Sequence, residues 1–281
     1  ATGEAYSMAN LEGQIYISSY PRAILSVYDP ALPYHFGTDE GDNPRDLGRI
    51  DELSYRPRST LTGPLGRVWT ASIPDYGRWS GPLSWYDPGS GERHAYHGIA
   101  GDGSCYTLAW LQSQKLIAVG LSIEAGSGAQ PRLDNAGLFL WDYERETKVW
   151  EGQVPGGADV VAINSLAVGI DGALYGTIRR PGDVSELFRF DAEARVFTDC
   201  LPLPELALDL GLQPTPDGQG LYGFTLHCLY RLTDDPFGFV EILRDDAAGF
   251  RTAGPVRRSA DGDLEVLFAR THKLMAARLH D

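Results

Sequence analysis

Short runs of alternating or continuous apolar residues, broken by Gly, Asp and Pro, follow one another along the whole chain. One kind of run ends in an aromatic residue or its neighbour and then Asp: "ILSVYDP" (24–30), "PLSWYDP" (82–88), "LFLWDY" (138–143) and "LFRFDA" (187–192), with weaker copies in "LYRLTD" (229–234) and "LMAARL" (274–279). Each follows a run that mostly begins near Gly: "GQIYISSYP" (13–21), "GRVWTASIP" (66–74), "QKLIAVGLS" (114–122), "DGALYGTIR" (171–179), "GQGLYGFTL" (218–226) and "DGDLEVLFA" (261–269). Before these lie "AYSMAN", "LSYRPRS", "YTLAWL", "AINSLAV", "LGLQPT" and "GPVRRSA". Most Asp-ending runs are followed by a fourth, as in "ERHAYHGI", "TKVWEGQV", "ARVFTDCL" and "GFVEILRD". Gly permits tight turns and β-branched or aromatic residues cover a pleated surface, so each run reads as a strand. No stretch holds a helical period over three turns.

A unit of about four strands therefore recurs roughly every 40–60 residues, which is the spacing of propeller blades. The expectation is an all-β chain: one β-propeller domain over residues 1–281 with four-stranded antiparallel blades. Six blades are counted, and seven if residues 31–65 conceal another. The recurrent Asp sits where a third strand turns into a fourth, and its carboxylate can accept backbone N–H groups there. Asp29, Asp87, Asp142, Asp191 and Asp234 are read as turn residues on this ground, as are Asp171, Asp217 and Asp261 in the earlier turns.

Composition changes the picture in a few places. Glycine is 33 of 281 residues, consistent with frequent turns. A net charge of −14 argues against nucleic acid as a partner. No apolar run is long enough for a membrane helix, and "ATGEAYSMAN" lacks the basic start of a signal peptide, so a soluble protein of undetermined compartment is expected. Cys105, Cys200 and Cys228 have no metal-type spacing and read as small apolar residues.

Charge is distributed unevenly among the loops. In an antiparallel blade the connections from second to third strand share one face. Here they are long and hold Arg22, Arg78, Arg132, Arg179, Arg180, Arg270 and Lys273 in an acidic chain. The first strands add Arg56, Arg58, Arg257 and Arg258. Arginine offers a planar fork for a carboxylate or phosphate, and Tyr20, Tyr76 and Trp79 beside it can stack on a sugar. His35, His227 and His272 are placed near the same rim. These residues predict an anion-binding pocket at the channel mouth for a uronic-acid-type saccharide or other small carboxylate. In this reading Tyr20, Arg22, Arg56, Arg78, Trp79, Arg132, Arg179, Arg180 and Arg257 bind the substrate. The alternative is that the arginines pair with nearby acids and join blades, leaving a propeller that binds glycan or protein without catalysis.

Two family resemblances extend this reading. "SLAVGIDGALYGTIRR" (165–180) resembles the strand–DG–strand unit of gluconolactonase- and streptogramin-lyase-type propellers. That resemblance implies a divalent metal such as calcium, with Asn164, Asn10 and Glu12 standing for its ligands; no fourth ligand aligns, and no cofactor is otherwise indicated. The Asp-ended blades and basic rim also resemble propeller polysaccharide lyases such as ulvan and rhamnose–glucuronate lyases. This implies β-elimination, in which Arg78 or Arg179 neutralises the carboxylate and Tyr76, His227 or His272 serves as base or acid.

Overall fold

The computed structural model describes residues 3–169, 171–270 and 273–279, in which every element but one 3-10 turn, Pro64–Gly66, is a β-strand. Packing divides the chain into two compact units, residues 1–152 and 153–281.

The first unit is a succession of antiparallel meanders. Strands β1 (Glu4–Leu11), β2 (Gln14–Tyr20), β3 (Ile24–Tyr28) and β4 (Arg45–Arg49) form one sheet in that order. Strands β5 (Ser54–Thr62), β6 (Val68–Pro74), β7 (Leu83–Tyr86) and β8 (Arg93–Tyr96) form the next. Strands β9 (Ser104–Leu111), β10 (Leu116–Ser122), β11 (Gly137–Asp142) and β12 (Thr147–Gln153) follow as a third antiparallel run. The middle strands are the most apolar and the most buried: every residue of β6, β10 and β11 is buried. The outer strand β12 alternates with solvent, as a strand covered on one face should. Tyr16, Leu25, Ile50, Val68 and Tyr86 pack the first sheet against the second.

The second unit repeats the pattern. It holds β13 (Ala162–Val168), β14 (Leu174–Arg180), β15 (Val184–Asp191) and β16 (Val196–Pro202), paired in order. Next come β17 (Gln213–Pro214), β18 (Leu221–Phe224), β19 (Cys228–Asp234) and β20 (Phe237–Arg244). The final sheet is β21 (Thr252–Arg258), β22 (Leu264–Arg270) and β23 (Lys273–Leu279). Pro214 lacks an N–H, and β17 is only two residues long, as Pro at a strand demands. Tyr175, Leu187, Leu221 and Tyr230 fill one inter-sheet core, and Phe224, Phe250, Val266 and Phe268 fill the next.

The expectation of six, or seven, separate four-stranded blades is corrected. The described strands close into five sheets of four, four, eight, four and three. Residues 31–65 contain no extra blade, since β4 completes the first sheet and β5 opens the second. The final sheet has three strands among the described residues. The repeat of apolar runs counts strands, whereas the blade count depends on which strand edges are hydrogen-bonded, and edges carry no periodic side-chain signal. What stands is an all-β, propeller-like succession of meanders.

The recurrent Asp acts as expected at four of five turns. Asp29 accepts from Ala31 N, Asp87 from Gly89 N and Ser90 N, Asp142 from Glu144 N and Arg145 N, and Asp191 from Glu193 N and Ala194 N. Asp234 differs: its carboxylate accepts the Tyr175 hydroxyl at 2.6 Å and ties neighbouring sheets of the second unit.

Two outcomes follow for stability and titration. Phe224 is fully buried, edge-on to Phe250 with 5.3 Å between centroids. Phe224→Ala is expected to lower unfolding free energy by about 3–5 kcal/mol, measured by urea denaturation, because the aromatic cage cannot collapse on the void. Asp217 is held down to about 2, first by the Thr215 hydroxyl, then by Gln219 N and Arg258. Its contribution to stability is therefore complete above pH ~4 and fades as pH falls toward 2. A carboxyl-carbon NMR titration should show Thr215→Val raising the Asp217 midpoint toward the ordinary value.

Candidate functional site

Register irregularities in the first strands of the first four meanders shape the site. Against its neighbour, β1 skips Tyr6, β5 skips Tyr55 and Arg58, β9 skips Tyr106, and β13 skips Asn164. A bulged residue leaves the alternation of the strand and its side chain is re-aimed. In the first unit β1, β5 and β9 lie side by side, so the bulged residues meet. The Arg58 guanidinium lies over the Tyr6 ring at 5.9 Å and the Tyr106 ring at 4.5 Å, and it donates to the Tyr106 hydroxyl. A planar cation between two rings is a cation–π arrangement that strengthens as water is removed.

A second layer of tyrosines adjoins the first. Tyr20 stacks on Tyr6 (5.5 Å, 18°), Tyr55 meets Tyr20 edge-on (5.6 Å, 81°), and Tyr76 meets Tyr55 edge-on (5.0 Å, 80°). Arg56 lies over Tyr20 at 5.7 Å and its Nη2 reaches Ser127 Oγ at 3.4 Å. The Arg56 Nε is buried without a hydrogen-bond acceptor, and Arg56 pairs with no carboxylate among the described residues. A hydrogen bond with Tyr76 pushes the Tyr20 phenol up; the Arg56 charge acts in the opposite sense.

The loop of residues 123–136 is fastened beside this layer. Gly126 N donates to Arg78 O at 2.9 Å, Gly77 N to Ser127 O at 3.0 Å, and Trp79 Nε1 to Gln130 O at 2.8 Å. Gly126 has no room for a side chain, since a Cβ would run into the Asp75 carbonyl. Arg132 stacks on Trp79 at 3.5 Å and lies 3.9 Å from Asp102. Arg78 is exposed and pairs with no carboxylate among the described residues, and the same holds for Arg22, in the turn before Ala23 with φ 72°.

Of the expected site residues, then, Tyr20, Arg56 and Tyr76 are brought together, with Arg78, Trp79 and Arg132 on the adjoining loops. Arg179, Arg180, Arg257 and His227 belong to the second unit. There Arg180 is nearly enclosed: Nη2 donates to Glu186 at 2.8 Å and to Pro155 O at 3.0 Å, and Nη1 to Ala158 O. Hydrogen bonding to Glu186 raises its pKa. Arg179 is half-buried at the end of β14, where its carbonyl accepts Val161 N. Arg257 pairs with Glu265 at 3.0 Å, and His227 Nδ1 lies 2.6 Å from Glu205. His272 lies outside the described residues.

The metal set implied by resemblance does not fit these residues. Asn164 is buried and fully used: its amide nitrogen donates to Ala207 O, and its oxygen accepts the Thr177 hydroxyl, both at 2.9 Å. Asn10 accepts Gly13 N within its own turn. Among the described residues no group of three His, Cys, Asp or Glu is arranged to hold a metal ion. All three cysteines are free thiols, and burial raises those of Cys105 and Cys228.

Tyr6, Tyr55 and Tyr106 were absent from the expected set. Their signal is an aromatic in the first run of three successive repeats, in "AYSMAN", "LSYRPRS" and "CYTLAW", visible only once a bulge is known to recur there.

No family model matches the chain, and no curated protein does. Its fold is similar to two structures of the extracellular domain of a B. thetaiotaomicron protein. In one, assigned as a hybrid two-component system, 99% of this chain aligns at a TM-score of 0.63 and 13% identity; in the other, assigned as a one-component system, 99% aligns at 0.62 and 14%. The chain spans 33% of each of those chains. At such identity the likeness is one of fold, and propeller-like is the class it defines. No helix among the described residues is long and apolar enough to cross a membrane.

The Tyr20–Tyr76 contact can be checked directly. With ring-labelled tyrosine and carbon NMR, Tyr76→Phe is expected to bring the Tyr20 titration down toward the ordinary tyrosine value. An unchanged Tyr20 midpoint would show that the two hydroxyls are not bonded.

Proposed function

We propose that this chain is a recognition domain that binds a small anionic saccharide, of the uronic-acid type, on the tyrosine–arginine surface of its first unit. One observation carries the reading: Arg56 lies half-buried over the Tyr20 ring, in the layer that Tyr55 and Tyr76 continue, with a buried Nε lacking an acceptor and no carboxylate partner among the described residues. A guanidinium with no counter-ion beside it can take a carboxylate, gripping it with two parallel N–H bonds. The surrounding phenol rings supply apolar faces for a pyranose, and their hydroxyls supply donors. Arg78 and the Trp79–Arg132 stack extend this surface along the loops.

Binding without turnover is favoured over β-elimination. Of the residues expected to serve as base or acid, His227 is engaged with Glu205 in the second unit, whereas Tyr76, Tyr20 and Arg56 belong to the first. A role in sensing agrees with the fold neighbours, which are extracellular domains of signalling systems.

The test is calorimetric titration with galacturonate and glucuronate oligosaccharides against their neutral counterparts. Binding of the acidic sugars alone is expected, and Arg56→Ala should weaken it about tenfold or more, the cost of one charge-assisted contact. Failure of every uronate to bind, or equal binding to Arg56→Ala, would refute the proposal. Appearance of unsaturated uronate absorbance during incubation would replace binding by lyase chemistry.

A further inference from the structure

The second unit contains a cleft that the tyrosine surface does not use. The apolar core between the β17–β20 and β21–β23 sheets, built on Phe224, Phe250 and Phe268, stops short of the surface at the Gly-rich turns. A cleft of about 520 Å3 opens there, within the ordinary range for small-molecule sites, ~300–1,000 Å3. Most of its exposed lining is polar, and Tyr222, Leu264 and Leu279 supply the apolar part. Its polar groups are mostly committed to one another. Asp217 takes the Thr215 hydroxyl and Gln219 N on one oxygen and Arg258 on the other at 2.7 Å, and Arg258 also donates to Gly262 O. Asp263 faces Arg278 at 3.4 Å.

Arg231 is the exception. It stands in the middle of β19, register-paired with Tyr222 and Val240 and flanked by the buried Tyr230 and Leu232. Its side chain lines the cleft and pairs with no carboxylate among the described residues. Asp217 and Arg258 neutralise each other, which leaves Arg231 as the lining cation without a carboxylate partner among the described residues. A cleft with an apolar patch in a polar lining, and one guanidinium with no carboxylate partner among the described residues, suits an amphipathic anion.

We propose that this cleft binds a small carboxylate carrying an apolar body, with its carboxylate on Arg231 and its body against Tyr222, Leu264 and Leu279. The site is separate from the tyrosine surface and does not rest on the proposed saccharide binding.

The probe is benzoate, followed by ligand-observed NMR with the full chain, with inorganic phosphate and hexanoate as competitors. Saturable binding in the millimolar range or tighter is expected for wild type and for Arg56→Ala alike. Arg231→Met, at an exposed position where folding should survive, is expected to weaken it about tenfold or more with far-UV circular dichroism and Tm unchanged. Leu264→Ser should weaken it as well while leaving uronate binding intact. The proposal falls if benzoate shows no saturable binding, if Arg231→Met binds as wild type does, or if Arg56→Ala abolishes binding. Competition by phosphate as strong as by hexanoate would overturn the apolar half of the assignment.

Discussion

The first unit is organised by an extra residue in the first strand of each meander. A regular strand would send Tyr6, Arg58 and Tyr106 alternately above and below the sheet, each into its own inter-sheet layer. Slipping the ladder by one residue frees these side chains from that alternation, and the lateral packing of β1, β5 and β9 brings them into contact. The Arg58 cation between two phenol rings is the outcome. In the second unit the same slip occurs at Asn164, where the freed side chain is spent on bonds to Thr177 and Ala207. One backbone device thus serves a partly buried aromatic–cation layer in one unit and internal polar satisfaction in the other.

The electrostatics of the two units differ in a way that bears on function. In the second unit most arginines near the sheet ends are neutralised: Arg180 by Glu186, Arg189 by Asp171, Arg257 by Glu265, Arg258 by Asp217. These are cross-strand and cross-turn ties, and exposed ones among them contribute little to stability. In the first unit Arg56 and Arg78 have no such acid among the described residues. An acidic chain that leaves guanidinium groups uncompensated beside tyrosine faces keeps a local attraction for anions despite its overall charge. The aromatic ladder holds Tyr20, Tyr55 and Tyr76 against one another.

The loops show how scaffold and site are joined. Residues 123–136 are long and Gly-rich, yet they are anchored through Gly126, Ser127 and Gln130 to the residues 75–79 segment. The anchoring is mostly backbone to backbone, which leaves the Arg78 side chain and the Trp79–Arg132 stack facing outward. A loop fixed in this manner can present polar groups reproducibly while remaining open to sequence change.

Much of this was legible in the residues themselves. Strand positions, most turn aspartates and the absence of α-helix among the described residues follow from local chemistry, because alternation and Asp–backbone bonding act over two to five residues. Arg56, Tyr20 and Tyr76 could be gathered from the loop and strand pattern for the same reason. Three matters were decided only by the tertiary structure. The number of sheets depends on hydrogen bonding at strand edges, to which side-chain pattern is blind. The engagement of Arg180, Arg257 and His227 depends on acids distant in the chain or across a strand pair. The Tyr6–Arg58–Tyr106 stack requires three bulges at matching positions, and a bulge is a mismatch between two strands that neither strand encodes alone.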